Sequence, residues 1–317
     1  MHRRTRRNAI PLLAAIGVLL TVAGAELQAG PVRVPGVPGS NSSGPPAQAT
    51  GKGGLHIPPG RRVNFTRVMT DGGGYRWDIQ AYGNIGSGTN NCYGNGMYLY
   101  VNNSNFYSNN IGWMNETGDE IEMGPWAQHN VRVYRRVKVY AKQPLARFLD
   151  IFENPTAQNV SVQVRLYSST NYTITQTKTS SGGVQFDADK DIGFITATNG
   201  NNVPPLLHVL SDKRAKTKPA TVRVQGNQID FYYNLTIPAG KTVVLCHFES
   251  QNQSFGAHEK LLKGFRAYRH LRDLAPAVRK LIVNLRAGGV YGDVDLRRSE
   301  TADAVYLAGG DPIFGAI

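Results

Sequence analysis

From about Arg61 to Glu249 apolar and polar residues alternate with period two, in runs broken by turn residues. MYLYVNN sets Tyr98 and Tyr100 against Leu99 and Val101, and NVSVQVRLYSS sets Val160, Val162, Val164 and Leu166 against Ser161, Gln163, Arg165 and Tyr167. RFLDIFEN puts Phe148, Asp150 and Phe152 on one side and Leu149 with Ile151 on the other. Successive side chains of a strand point to opposite faces, so this pattern predicts strands with one dry and one wet face. Turn signals at Gly226-Asn227 and Pro238-Ala239-Gly240 fit strands joined by short connections, and the fold class expected is mainly β, an antiparallel β-sandwich. In VRVYRRVKV the parity places Val131, Val133, Val137 and Val139 in the core and Arg132, Tyr134, Arg136 and Lys138 in water. Arg135 falls on the valine side, which predicts a bulge or an edge there.

From Gly256 the period changes. Leu261, Phe265, Tyr268 and Leu271 recur at helical steps, and Pro276 opens a second helical pattern with Val278, Leu281, Ile282 and Leu285 inward, closed by Ala287-Gly288-Gly289. The last residues read as two strands split by a polar loop. The expected organisation is an export signal over 1–29, a Pro/Gly/Ser-rich tether over 30–56, a sandwich over 57–255, and a basic helical pair plus terminal strands over 256–317. A terminal strand needs a neighbour, which raises strand addition to a partner at the C-terminus as one possibility.

The leader rests on Arg3, Arg4, Arg6 and Arg7 ahead of an apolar run, Ala9 to Val22, followed by small residues at Ala23-Gly24-Ala25 and Leu27-Gln28-Ala29. That run is shorter than the roughly 20 residues that span a bilayer, so a periplasmic or extracellular destination is expected, with no transmembrane span after signal removal. The formal net charge of +13 falls to +10 when four arginines and Glu26 leave with the leader. Outside the cytoplasm such a charge meets acidic polysaccharide or anionic envelope polymer, and no nucleic acid is expected as partner. The two cysteines, Cys92 and Cys246, allow either a disulfide or two free thiols.

Several constellations bear on chemistry. Trp77, Trp113 and Trp126 lie among many tyrosines in the N-terminal half, and flat rings beside polar groups can stack on sugars. Glu120 and Glu122 in NETGDEIEMGPW share one strand face, and paired carboxylates can act on glycosidic bonds, but no opposing carboxylate is placed by the sequence. The candidate ligand-binding residues are therefore Trp77, Trp113, Trp126, Glu120 and Glu122. The basic helical stretch offers Lys263, Arg266, Arg269 and Arg279 as contacts to an anionic surface. Asp187 to Gly193 resembles a calcium loop, but Ile192 and Thr198 stand where glycine and glutamate are needed, so a polar turn is expected. The histidines lack metal-site spacing, and neither a nucleophile elbow nor a phosphate loop occurs, so no catalytic residue, metal or cofactor is expected.

ENPTAQNVSVQV and LTIPAGKTVVLCHF resemble immunoglobulin-like and mutarotase-like supersandwich domains, over roughly residues 60–250. The chain is also similar to exported bacterial β-sandwich proteins without a characterised activity. The first resemblance implies a large sandwich of the kind that accompanies carbohydrate chemistry; the family's catalytic histidine and glutamate find no matching positions, so it implies no activity here. Three functions follow as expectations. The first is a non-catalytic exported or cell-envelope β-sandwich protein that binds or organises envelope material. The second is a carbohydrate-binding or carbohydrate-active, mutarotase-like module. The third is an assembly subunit that uses its terminal strand.

Overall fold

The computed structural model describes residues 54–200 and 202–286, and the backbone of three short segments after them. The expected export signal lies outside the described residues, as does most of the expected tether. In chain order the strands are β1 (Arg61–Arg62), β2 (Arg67–Thr70), β3 (Arg76–Ile79), β4 (Asn95–Val101), β5 (Ser104–Asn105), β6 (Gly112–Met114), β7 (Glu120–Gln128), β8 (Val131–Val139), β9 (Ala146–Glu153), β10 (Val160–Ser169), β11 (Ile174–Thr179), β12 (Gly193–Thr198), β13 (Leu206–Val209), β14 (Thr221–Gln225), β15 (Gln228–Ile237) and β16 (Thr242–Gln251). Helices α1 (Phe255–Gly264) and α2 (Pro276–Leu281) follow, then β17 (Asp295–Arg298), β18 (Asp303–Tyr306) and β19 (Pro312–Phe314).

A nine-stranded sheet runs β1-β6-β7-β8-β9-β16-β13-β12-β11 and a five-stranded sheet runs β14-β15-β10-β4-β5. The pairings within both are antiparallel, so the expected sandwich is present. Between the sheets lie Val133, Val137, Phe148, Phe152 and Leu245 from one side and Leu99, Val164, Leu166, Phe231 and Leu235 from the other. The far face of the large sheet is also dry. Leu149, Ile151, Leu207, Val244, Cys246 and Phe248 pack there against Leu262, Phe265, Leu271, Val278, Ile282 and Leu285 of the C-terminal segment. Central strands are thus covered on both faces, and β9 is buried along all but its last residue, charged Arg147 and Asp150 included.

Two expectations need correction. The four valines of β8 are buried and Arg132 is exposed, as the alternation implies, but Arg136 is buried and Lys138 half-buried. The opposite face of β8 is not a wet face, because the C-terminal segment and the chain around Gly54 to Ile57 lie over it. Arg135 marks no edge, and β8 itself does not bulge, pairing with β9 in unbroken register from Arg132 to Val139; the ladder with β7 does shift beside it, after the Met123–Arg135 pair, where β7 carries the extra residue before Trp126.

The first C-terminal helix is also shorter than the pattern suggests. Ser254 caps α1 by accepting the Ala257 N–H, and Phe265 closes it in extended conformation. Gly264 is a poor helix former, and Phe265 instead packs edge-on to Phe248 at 5.1 Å and stacks with His270 at 4.9 Å. A 3-10 turn over Ala267–His270 and the short α2 continue the layer. At the end of the chain β17, β18 and β19 form an antiparallel meander, so the last strand is paired within the chain. Among the described residues no helix is long and apolar enough to cross a membrane.

Candidate functional site

The outer face of the five-stranded sheet carries the half of each alternation that points away from the core. On β4 these residues are Tyr98 and Tyr100, on β10 Arg165 and Tyr167, and on β15 Asp230 and Tyr232, all half-buried. Register aligns them laterally: Arg165 pairs with Tyr100 on one side and Tyr232 on the other, and Tyr167 pairs with Tyr98 and Asp230. Cross-strand neighbours lie about 5 Å apart, so the rows form one patch. Arg165 is its centre. Its guanidinium carbon lies 5.3, 4.9 and 5.8 Å from the ring centres of Tyr100, Tyr167 and Tyr232. Its Nε donates to Asp230 Oδ1 at 2.6 Å. Burial works against its charge, and the hydrogen bond to Asp230 outweighs that and raises its pKa. Tyr98 continues the patch to Tyr82 at 6.0 Å, and Tyr82 to Tyr107 at 4.8 Å. Tyr82 is 40% exposed.

The patch can present tyrosine rings gathered around the Arg165 guanidinium, with phenol hydroxyls and flanking Gln163, Asn234 and Arg223, all exposed, as hydrogen-bond donors and acceptors. Tyr82, Tyr98, Tyr100 and Tyr107 belong to the aromatic cluster visible in the sequence. Tyr167, Tyr232 and Arg165 do not, since the adjacency of β15, β10 and β4 is a matter of topology; their outward parity was the one available signal.

The tryptophans expected to bind ligand do not share a surface. Trp77 is fully buried and donates Nε1–H to Asp71 Oδ2 at 2.9 Å. Trp126 packs edge-on to Phe106 at 6.1 Å against the inter-sheet core, and Trp113 sits half-buried on β6 opposite Glu122. Glu120 and Glu122 do share a face, but both are buried within an ion network. Arg136 Nη2 donates to Glu120 Oε2 at 2.9 Å and Arg147 Nη2 to Glu120 Oε1 at 3.1 Å. Burial alone would raise the pKa of Glu120; the two guanidiniums outweigh it and hold it down. Arg147 also reaches Asp273, whose carboxyl is held at about 2 because Arg147 and Lys138 outweigh its burial. Glu122 accepts the Ile57 N–H at 3.0 Å and lies 2.9 Å from His56 Nδ1.

A second set of titratable groups lies between the sheets. Arg135 Nε donates to Asp150 Oδ1 at 2.6 Å, and His247 Nδ1 is 3.8 Å from Asp150. His208 Nδ1 is 2.8 Å from Glu249, which accepts the Tyr93 hydroxyl at 2.9 Å. All of these side chains are fully buried, and burial, then Arg135, pushes His247 down to about 3. The Asp187–Asp191 stretch is the expected polar turn: Asp191 accepts from Ser180 Oγ, Ser181 N and Asp187 N. Both cysteines are free and buried. Of the basic residues expected to meet an anionic surface, Lys263, Arg266 and Arg269 are exposed and Arg279 is half-buried.

No family model matches the chain, and no curated protein matches it in sequence. Several solved structures show a partial likeness to it. A polysaccharide lyase is 13% identical over 66% of this chain, with a TM-score of 0.38. The chain spans only 35% of that lyase's length. Heparan sulfate lyase HepC from Pedobacter heparinus is 10% identical over 69% of this chain and 30% of its own, with a TM-score of 0.33. An aldose 1-epimerase-like protein from Escherichia coli K12 is 7% identical over 59% of this chain and 98% of its own, with a TM-score of 0.36. These likenesses transfer no activity or residue role.

Proposed function

We propose that this chain is an exported, non-catalytic glycan-binding protein of the cell envelope that holds polysaccharide across the outer face of the five-stranded sheet. The observation that carries this reading is the row Tyr232, Arg165, Tyr100 with Tyr167 and Tyr98 beside it, rings and polar groups interleaved on one sheet face. Sugars offer an apolar C–H face to a ring and hydroxyls to its polar neighbours. Export is supported by the basic, apolar and small-residue sequence of the leader. A binding role is favoured over sugar epimerisation because proton transfer needs an acid and a base that touch the sugar. The His208–Glu249 and Arg135–Asp150–His247 groups are sealed between the sheets instead.

The test is a binding screen of the secreted protein against soluble neutral and acidic polysaccharides, with reducing-end release assayed in parallel. Tyr100→Ala, Tyr167→Ala and Tyr232→Ala are each expected to weaken binding about 2- to 10-fold, matching roughly 0.5–1.5 kcal/mol per aromatic contact. No reducing ends should appear. Retained binding in the triple variant would move the site elsewhere, and sugar release would favour the carbohydrate-active alternative. A secreted form that begins at Met1 would remove the cleaved-leader part of the reading.

A further inference from the structure

On the far side of the large sheet, a cavity of about 620 Å³ opens between the end of α1, the chain after β13 and the chain after α2. That volume suits a small organic ligand, for which sites of about 300–1,000 Å³ are usual. Its floor is apolar, with Val209, Leu262, Phe265 and Leu285 all buried. Its rim is cationic. Lys213 and Arg214 come from the chain after β13, Lys263 and Arg266 from the end of α1, and Arg286 from the chain after α2, against a single lining carboxylate, Asp212. All five cations are exposed.

Two observations set this cavity apart from an ordinary solvated basic face. The cations converge from three separate stretches of chain. Among the described residues none of the five is in an ion pair, and only one lining carboxylate, Asp212, stands among them. Like charges gathered in this way repel, and a bound anion relieves that repulsion. The second observation is Ser211. Ser211 is among the lining residues, is fully buried, and its Oγ has no hydrogen-bond partner among the described residues. A buried hydroxyl left unsatisfied is destabilising, and a ligand oxygen would accept its hydrogen bond.

We propose that this cavity is a binding site for an amphiphilic organic anion, a phosphate or carboxylate on an apolar body, with the basic rim and Ser211 holding the anionic group and the apolar floor holding the body. The site is separate from the tyrosine face, so it stands or falls independently of the glycan-binding reading.

The experiment is calorimetric titration of the full chain with octyl phosphate, octyl glucoside and inorganic phosphate. Octyl phosphate should bind, and more weakly at high salt, since exposed charges are screened over about 8–10 Å at physiological ionic strength. The neutral glucoside and phosphate alone should each bind at least tenfold more weakly. The Lys263→Gln/Arg266→Gln variant should lose tenfold or more in affinity for octyl phosphate. A Lys142→Gln/Lys241→Gln control, with the same change in net charge on exposed residues elsewhere, should lose little. Ser211→Ala should weaken binding several-fold. Vesicles of anionic phospholipid form a further arm: capture that depends on the same residues identifies a lipid headgroup, and octyl phosphate binding without capture identifies a soluble ligand. Equal affinity in the two double variants, or octyl glucoside bound as well as octyl phosphate, would overturn the proposal. Should the cavity variant melt early, Ser211→Ala and the salt dependence still decide it.

Discussion

Arg135 sits in a costly position for a charge. It is fully buried between the two sheets, and Asp150, its cross-strand partner on β9, supplies the countercharge. Arg135 also donates to the carbonyls of Gly83 and Met97, so one guanidinium ties β8, β9, β4 and the loop before β4 together. Removing either partner alone leaves a buried charge uncompensated, and Arg135→Met or Asp150→Leu should destabilise the protein by about 3–5 kcal/mol. The double replacement should recover part of that loss but not all, because two buried carbonyls stay unpaired at roughly 1–3 kcal/mol each. Urea unfolding of the two single variants and the double measures this. Additive losses in the double would show that Arg135 and Asp150 do not act as a pair.

At the scale of elements, the stretch Gly54 to Ile57 behaves as a strap. The sequence places Gly54, Leu55 and His56 in a flexible tether, yet Arg136 Nη1 donates to the Gly54 and Leu55 carbonyls at 2.6 and 2.8 Å. His56 bridges Glu122 and Glu153, with its Nε2 3.0 Å from Glu153 Oε1, and its ring lies 4.3 Å from that of Tyr134. Burial draws the His56 pKa down, but the two carboxylates outweigh it and raise it to about 9. A histidine with a raised folded pKa stabilises fully below its unfolded value near 6.5, and that contribution fades as pH climbs through 9. The wild-type protein should therefore exceed His56→Gln in stability by up to about 3 kcal/mol below pH 6.5, with the gap closing above pH 9. Paired thermal melts from pH 5 to 10 give the comparison, and a gap that stays constant with pH would mean that His56 acts without its charge.

On the scale of the whole molecule, one sheet serves two cores. Cys92 belongs to the core between the sheets and Cys246 to the core beneath the C-terminal segment. Burial raises both thiols, Cys92 to about 12, so neither should be nucleophilic in the folded protein. Because β9 and β16 contribute to both cores, the two should open in a single cooperative transition. Thiol labelling across a guanidinium titration is expected to show no reaction before the main transition and both cysteines reacting within it. Labelling of Cys246 at lower denaturant would show the C-terminal layer coming away first.

The alternation in MYLYV, VRVYRRVKV and VSVQVRLYSS determined the strands, their antiparallel sandwich and the side of each strand that Val133, Val164 or Leu99 occupies, because the two-residue repeat is a local property of the backbone. It equally determined that Tyr98, Tyr100 and Tyr167 point the other way. What lies over a face is not local. Only the tertiary structure decided that Arg136 is buried under a strap and a helical layer while Arg132 is exposed, that Arg135 meets Asp150 rather than solvent, and that Glu120 serves two arginines. The same holds for both proposed sites. Tyr232, Arg165 and Tyr100 come from β15, β10 and β4, and the cavity's cations come from three stretches spread between Lys213 and Arg286. Such neighbours are brought together by strand order and layer packing, contacts between distant parts of the chain that no periodicity along it records.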